Sequence, residues 1–282
     1  MALSRADSLP VLDPAVLPDD AVIAIDGPAG SGKSTTARAL AEMFDLLYID
    51  TGAMYRALTQ AALSEGVSPG DADRLTDLLI PARLELKSGK GEVTVFWNGK
   101  DVSKAIRTPE VEAAVSEVSS HPTVRANMVE RQQVMGRRGG VVMEGRDIGS
   151  VVFPLATAKI FLSASLEARV DRRFRQYQQR GLDVSRDELF LDLADRDRQD
   201  SQRDTSPLQI SPDAMVVDSS GLNLEQQNEV CARACLVNPS LDLELDTDLA
   251  VARRELPWHY RWAYGVFGCL ARFYGLRQVG NE

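Results

Sequence analysis

The octet Gly27-Pro28-Ala29-Gly30-Ser31-Gly32-Lys33-Ser34 fits G-x-x-x-x-G-K-[ST] and follows directly on the apolar, β-branched run Ala21 to Ile25. Three glycines let the main chain turn so tightly that its N–H groups converge on one point. The helical pattern that follows, Thr35 to Phe44, adds the positive end of its dipole there. Such a point suits a phosphate. Lys33 is placed to reach the outer phosphates of a nucleoside triphosphate, and the Ser34 hydroxyl a Mg²⁺ ion. A glycine-rich turn that merely contains a lysine would match some of these positions. Here all four fixed positions match, between a strand and a helix.

Other chemistry-bearing clusters also sit at the ends of apolar runs. Asp45 to Ile49 leads into Asp50-Thr51-Gly52-Ala53-Met54-Tyr55-Arg56, and Val141-Val142-Met143 into Glu144-Gly145-Arg146-Asp147-Ile148-Gly149. Ala158 to Leu162 reads as a strand followed by a helical stretch carrying Arg169, Arg172, Arg173 and Arg175. Asp195 to Arg203 alternates Asp and Arg before opening toward Pro207, and Ala214 to Val217 reads as a last strand. Parallel strands present their C-terminal ends on one side of a sheet, so these clusters face the phosphate loop. Taken singly, Arg and Asp on helices are usually solvated pairs, Ser116 is a helix-face serine and Asp50 a helix cap. Their order along the chain lifts them above that.

The succession D-T-G-A-M-Y-R, G-R-D-I-G-S-V-V-F-P and R-D-x-x-D-S-x-R closely resembles the bacterial cytidylate kinase family, over residues 20 to 236. The resemblance implies an α/β fold of the P-loop nucleoside monophosphate kinase type: a parallel sheet flanked by helices, a small β-rich monophosphate-binding insertion and a helical lid. In this chain the insertion falls at about 83–108, where Gly89, Gly91 and Gly99 punctuate the alternating run Glu92 to Trp97, and the lid at about 166–203. The implied reaction is phosphoryl transfer from Mg-ATP to CMP or dCMP. Gly27, Gly30, Ser31, Gly32, Lys33, Ser34 and Thr35 would hold ATP, with Ser34 on the metal. Thr51, Tyr55, Arg56, Ser116, Arg125, Arg146, Asp147, Arg196, Asp200 and Arg203 would hold the acceptor. By the same resemblance Arg56, Arg146 and Arg203 grip its phosphate, Ser116, Arg125 and Asp147 read the base, Asp200 meets the sugar hydroxyls, and Arg172 and Arg173 close over the donor.

The residue types suit that chemistry. A nucleoside monophosphate is already a nucleophile, mostly dianionic at neutral pH because its second phosphate pKa is about 6, so no general base is required. What the site must do is position two phosphate chains end to end and neutralise a loose, charge-dispersed transition state. Guanidiniums do this by bidentate grip. A carboxylate beside a donor side chain accepts the 4-amino group of cytosine and repels the O4 of uracil. Ser116 and Arg125 are nine residues apart, too far for one helix face unless the chain breaks between them, and His121-Pro122 supplies the break. Another small P-loop kinase, of UMP or a non-nucleotide acceptor, is the alternative, as is a non-catalytic nucleotide switch. No N-K-x-D guanine signature occurs to favour the latter.

The chain has 282 residues, 44% hydrophobic, enough for one α/β core with a small second lobe. A net charge of -9 argues against nucleic acid as a partner. Three cysteines make no zinc pattern and fit reduced thiols in a cytoplasmic protein, Cys231 and Cys235 sharing a helix face near the core. Two histidines are too few for a metal cluster. Residues 1–19 read as a loose leader and 20–236 as a monomeric kinase core. Residues 237–282 read as a linker and an Arg- and aromatic-rich helical extension, with Trp258, Trp262, Phe267 and Phe273, suited to docking on a partner or a membrane surface. This extension somewhat resembles the opening helix of bacterial 1-acylglycerol-phosphate acyltransferases.

Overall fold

In a computed structural model, which describes residues 17–89, 92–179, 181 and 183–236, five short strands form one parallel sheet in the order β2-β6-β1-β7-β8. They are β1 (Val22–Asp26), β2 (Leu47–Asp50), β6 (Val141–Gly145), β7 (Ala158–Ser163) and β8 (Met215–Asp218). β1 and β6 are buried nearly end to end, which is why both read as continuous apolar runs rather than alternating ones. In register, Asp26 lies opposite Gly145 on one side and Phe161 on the other, while Asp50 lies opposite Glu144. The C-terminal ends of four strands therefore stop at one level, and every cluster expected at a strand end emerges on the same edge.

Helices cover both faces. On one, α1 (Lys33–Met43) and α8 (Leu224–Leu236) pack on the sheet through Leu40, Ile23, Ile160 and Cys231. Beside the sheet, α2 (Thr51–Ser64), α3 (Ala72–Leu79), α4 (Pro109–Val118) and α5 (Pro122–Gly136) share a second core with an antiparallel sheet of β3 (Leu84–Gly89), β4 (Glu92–Trp97) and β5 (Lys100–Asp101). Asn98 and Gly99 both take positive φ, the mirror-image turn that an Asn-Gly pair favours between twisted strands. The third group, α6 (Leu166–Gln179) and α7 (Arg186–Gln202), has its own small core around Val170, Leu189 and Leu193.

Element boundaries differ from the sequence reading in instructive ways. α1 starts at Lys33, not Thr35, because Gly32 in the left-handed region starts it directly from the glycine loop. β2 begins two residues later than Asp45, which itself has φ of 54° and turns the chain. α4 stops at Val118 and α5 starts at Pro122 with His121 as its N-cap, so the break expected at His121-Pro122 is present. Leu17, within the expected leader, is buried in the core, while residues 18–20 are exposed. Cys231 and Cys235 are fully buried on α8 as expected, whereas the aromatic extension at 237–282 lies outside the described residues.

Candidate functional site

The donor loop is built almost wholly from main chain. Gly27, Gly30 and Gly32 have φ of 149°, 77° and 99°, a run that L side chains rarely adopt. A Cβ on Gly27 would lie 2.1 Å from the Leu162 carbonyl, so β7 leaves no room for one. α1 has no side-chain cap, which keeps its first N–H groups turned toward the loop. Lys33 is buried and donates to the Pro28 carbonyl at 2.7 Å. Burial, with Arg146 nearby, pushes its ammonium below the usual lysine range. Support comes from behind: Gln227 donates to Thr36 Oγ1 at 2.6 Å, and the Ser219 hydroxyl donates to the Ser31 carbonyl at 3.1 Å.

The other half of the site is made of charged side chains in partnership. Asp50 caps α2 by accepting from the Ala53 N–H at 2.8 Å and accepts from Arg56 Nη2 at 2.9 Å. Arg146 donates through Nε to Asp200 Oδ2 at 2.7 Å, and Arg203 Nη1 lies 3.8 Å from Asp200 Oδ1. Burial pushes Asp200 upward, but Arg146, Arg196 and Arg203 outweigh it and hold the carboxyl below the ordinary range. Burial beside Arg146 brings Arg196 down to about 10. Arg125, buried on α5, donates to Asp147, to the Ser119 carbonyl at 3.0 Å, and lies 5.6 Å from the Tyr55 ring centroid. Thr51 donates to the Glu144 carbonyl at 2.7 Å, and the Glu144 carboxylate accepts from Tyr48 at 2.6 Å.

These two halves face one cavity of about 670 Å³. Lys33, Ser34, Thr35, Thr51, Tyr55, Arg56, Arg125, Arg146, Asp147, Arg172, Arg173, Arg196, Asp200 and Arg203 all line it, with Gly30 and Gly32. Ser31 is buried beneath the loop, and Gly27 packs against β7. Ser116 is half-buried on α4 but is not among the lining residues; Ser119, almost one turn on, is. Nine buried side-chain polar atoms lack a partner among the described residues. Six belong to lining residues: Arg38, Tyr55, Arg56, Arg125, Arg196 and Arg203. Buried donors are nearly always satisfied, and so many guanidiniums around one cavity fit an anionic ligand.

The lid arginines are not equivalent. Arg169 makes a bidentate pair with Asp197 at 3.0 and 2.6 Å and donates to the Ala29 carbonyl at 3.2 Å, fastening α6 to α7 and to the loop. Arg172 donates to the Ser31 carbonyl at 3.0 Å. Arg173 crosses to Glu112 on α4, and Tyr177 donates to the same carboxylate at 3.1 Å. Arg175 alone keeps the solvated role expected of an isolated helix arginine. Sequence reading passed over Glu112, Ser119, Gln227 and Asp26. Glu112, Gln227 and Asp26 act through partners far away in the chain, Ser119 through Ser116 and Arg125 nearby, and no local pattern marks any of them.

A glycine loop on the central strand of a parallel sheet, a paired-arginine pocket across from it and a helical pair bridging the two define a P-loop nucleoside monophosphate kinase, a phosphotransferase. The chain belongs to the cytidylate kinase family, whose model matches residues 23–236. It is 48% identical to the cytidylate kinase of Bacillus subtilis over 204 residues, covering 72% of this chain and 91% of that one. It is 46% identical to the cytidylate kinase of Bacillus cytotoxicus over the same shares. A bifunctional pantoate ligase/cytidylate kinase of Synechococcus sp. (strain JA-3-3Ab) is 48% identical over 215 residues, 75% of this chain and 40% of that protein. The family match ends at Leu236, so the acyltransferase-like tail gains no support from it. No described helix is long and apolar enough to cross a membrane.

Proposed function

We propose that the protein transfers the γ-phosphoryl group of ATP to CMP or dCMP, giving ADP and the corresponding diphosphate. The observation that carries this is the buried Arg125–Asp147 pair lining the same cavity as the guanidiniums of Arg56, Arg196 and Arg203. Asp147 presents a fixed acceptor to an exocyclic amine and repels a carbonyl, while the arginines hold the phosphate that attacks. With the acceptor dianion already nucleophilic, the residues position and neutralise: Lys33 and the loop N–H groups on the donor, Arg146 and Arg203 between the chains, Arg172 and Arg173 from α6. Closure of α6 and α7 would keep water from the triphosphate.

Magnesium fits the donor set. Among the described residues no cluster of three or more acidic, His or Cys side chains could hold a metal, but a nucleotide-bound Mg²⁺ takes most of its ligands from phosphate and water. Ser34 would supply a hydroxyl oxygen, and the ion would neutralise charge on the outer phosphates. The proposed setting is a monomeric core in the cytoplasm without nucleic acid, supported by buried thiols at Cys231 and Cys235 and a net charge of -9. Residues 237–282 form an appended docking segment in this reading. A chain ending at Leu236 then keeps kinase turnover and melting temperature while losing self-association or vesicle binding; unfolding or loss of turnover refutes it. For the reaction itself, ADP release is followed against CMP, dCMP, UMP and AMP. Equal turnover of UMP, or an unchanged CMP-to-UMP ratio in Asp147→Ala, defeats the assignment.

A further inference from the structure

Asp147 opens the single π-helical turn Ile148–Val152 that follows β6, yet its side chain makes no cap to that turn. An Asp in this position ordinarily accepts from a free N–H two or three residues ahead, here that of Gly149 or Ser150. Here the Gly149 N–H is taken by a residue from another strand, together with the Ile148 N–H before it. Asp26, the last residue of β1, accepts from the Ile148 N–H through Oδ1 and from the Gly149 N–H through Oδ2, both at 2.8 Å. Its carboxylate is buried, 6% exposed, and Gly149 offers only a hydrogen on that side: a Cβ there would sit 3.4 Å from Oδ2 and 3.1 Å from Lys159 Cδ. The next residue after Asp26 is Gly27, where the phosphate loop begins.

We propose that Asp26 is a positioning residue of the acceptor site: by capping the Ile148–Gly149 turn from β1 it leaves the Asp147 carboxylate free for Arg125 and the base. The proposal rests on the reading of Asp147 given under Proposed function. One carboxylate thereby fixes the donor loop, which starts one residue after it, against Arg146 and Asp147, which immediately precede the N–H groups it holds. Without it, the Gly149 N–H lies two residues ahead of Asp147, within ordinary capping reach of that carboxylate, and a rotation to satisfy it withdraws Asp147 from Arg125.

Asp26→Asn tests this, because an amide keeps one acceptor and turns an NH₂ toward an N–H; Asp26→Ala removes both acceptors. The expected result is a graded rise in KM for CMP, about tenfold for Asn and more for Ala. The CMP-over-UMP preference should narrow in step, while ATP affinity titrated without CMP stays within about threefold. In a background of Asp147→Ala, adding Asp26→Asn should narrow the preference no further, since Asp26 acts through Asp147. An unchanged preference in folded Asp26→Asn, a parallel loss of ATP affinity, or an additive loss in the double variant overturns the proposal. If the wild type itself does not prefer CMP to UMP, the Proposed function fails first and this inference falls with it. Should the variants fail to fold, amide exchange in the wild type decides: the 148 and 149 N–H groups must exchange as slowly as those of β6, and fast exchange overturns the proposal.

Discussion

The two ends of the cavity recognise phosphate by opposite means. At the donor end the groups belong to the main chain, held by three glycines whose φ values and close packing exclude side chains. At the acceptor end they belong to side chains from α2, α5, β6 and α7, nearly every guanidinium set against a carboxylate. A main-chain cradle is rigid and indifferent to what the phosphate is attached to. A side-chain pocket can read the rest of the ligand, and it tolerates the loss of any one member better than the cradle tolerates loss of its geometry.

That contrast is testable in order of effect. Lys33→Ala should cost about 10³-fold or more in kcat, since its charge meets the group in transfer and the loop itself holds no other cation. Turnover within tenfold of wild type would contradict a donor end centred on that ammonium. Arg56→Ala or Arg203→Ala should weaken CMP binding by about 1.5 to 3 kcal/mol with ATP binding unchanged, each leaving an Asp50 or Asp200 carboxylate short of a partner. Calorimetric titration of CMP alone measures this, and a matching loss for ATP would erase the distinction between the two ends. Glu112→Gln should lower kcat several-fold with CMP affinity held within about twofold, because the carboxylate steadies Arg173 from across the cavity; Arg173→Ala should make the change silent. Full additivity in that cycle would separate the two residues.

The smallest effect concerns stability. Burial raises the Asp26 carboxyl to about 6, partly offset by the two N–H groups it accepts, with Asp147 raising it further and Lys33 lowering it. Between the unfolded value of 3.8 and about 6 the folded chain binds the extra proton, so the contribution of Asp26 to stability falls as pH rises through that window. Asp26→Asn does not titrate. Its melting temperature should therefore gain on the wild type by a few degrees from pH 4 to pH 7, and a constant gap would mean that the carboxyl is not perturbed.

The same contrast explains what could be read in the sequence. The donor loop is contiguous, so Gly27 to Ser34 announced both its geometry and its ligand class, and the strands that end beside it were legible as apolar runs. The acceptor pocket is assembled from positions over a hundred residues apart: Arg56, Arg146 and Arg203 are recognisable only as members of an ordered series of motifs, and Arg125 only as a position that matches the family. Asp26 and Glu112 were invisible because their roles depend on partners 122 and 61 residues away, and nothing in the flanking sequence distinguishes a capping carboxylate from a solvated one. Ser116 illustrates the limit of spacing: the helix break was correctly placed, yet it is Ser119 that reaches the cavity wall. Helix starts failed by two residues where a glycine in the left-handed region did the work of a cap.

The pairing of Arg56 with Asp50, of Arg125 with Asp147, and of Arg146 and Arg203 with a shared Asp200 bears on inhibitor design. An uncharged compound entering that pocket must leave the pairs intact and then meets few apolar surfaces to bind, or split them and bury an unmatched charge at a cost of about 3 to 5 kcal/mol. A compound that satisfies the guanidiniums needs anionic oxygens, the feature that most hinders passage through a lipid bilayer. The more tractable target is the wall where Arg125 lies against the Tyr55 ring, since a flat heterocycle carrying an amine addresses Asp147 there without a phosphate.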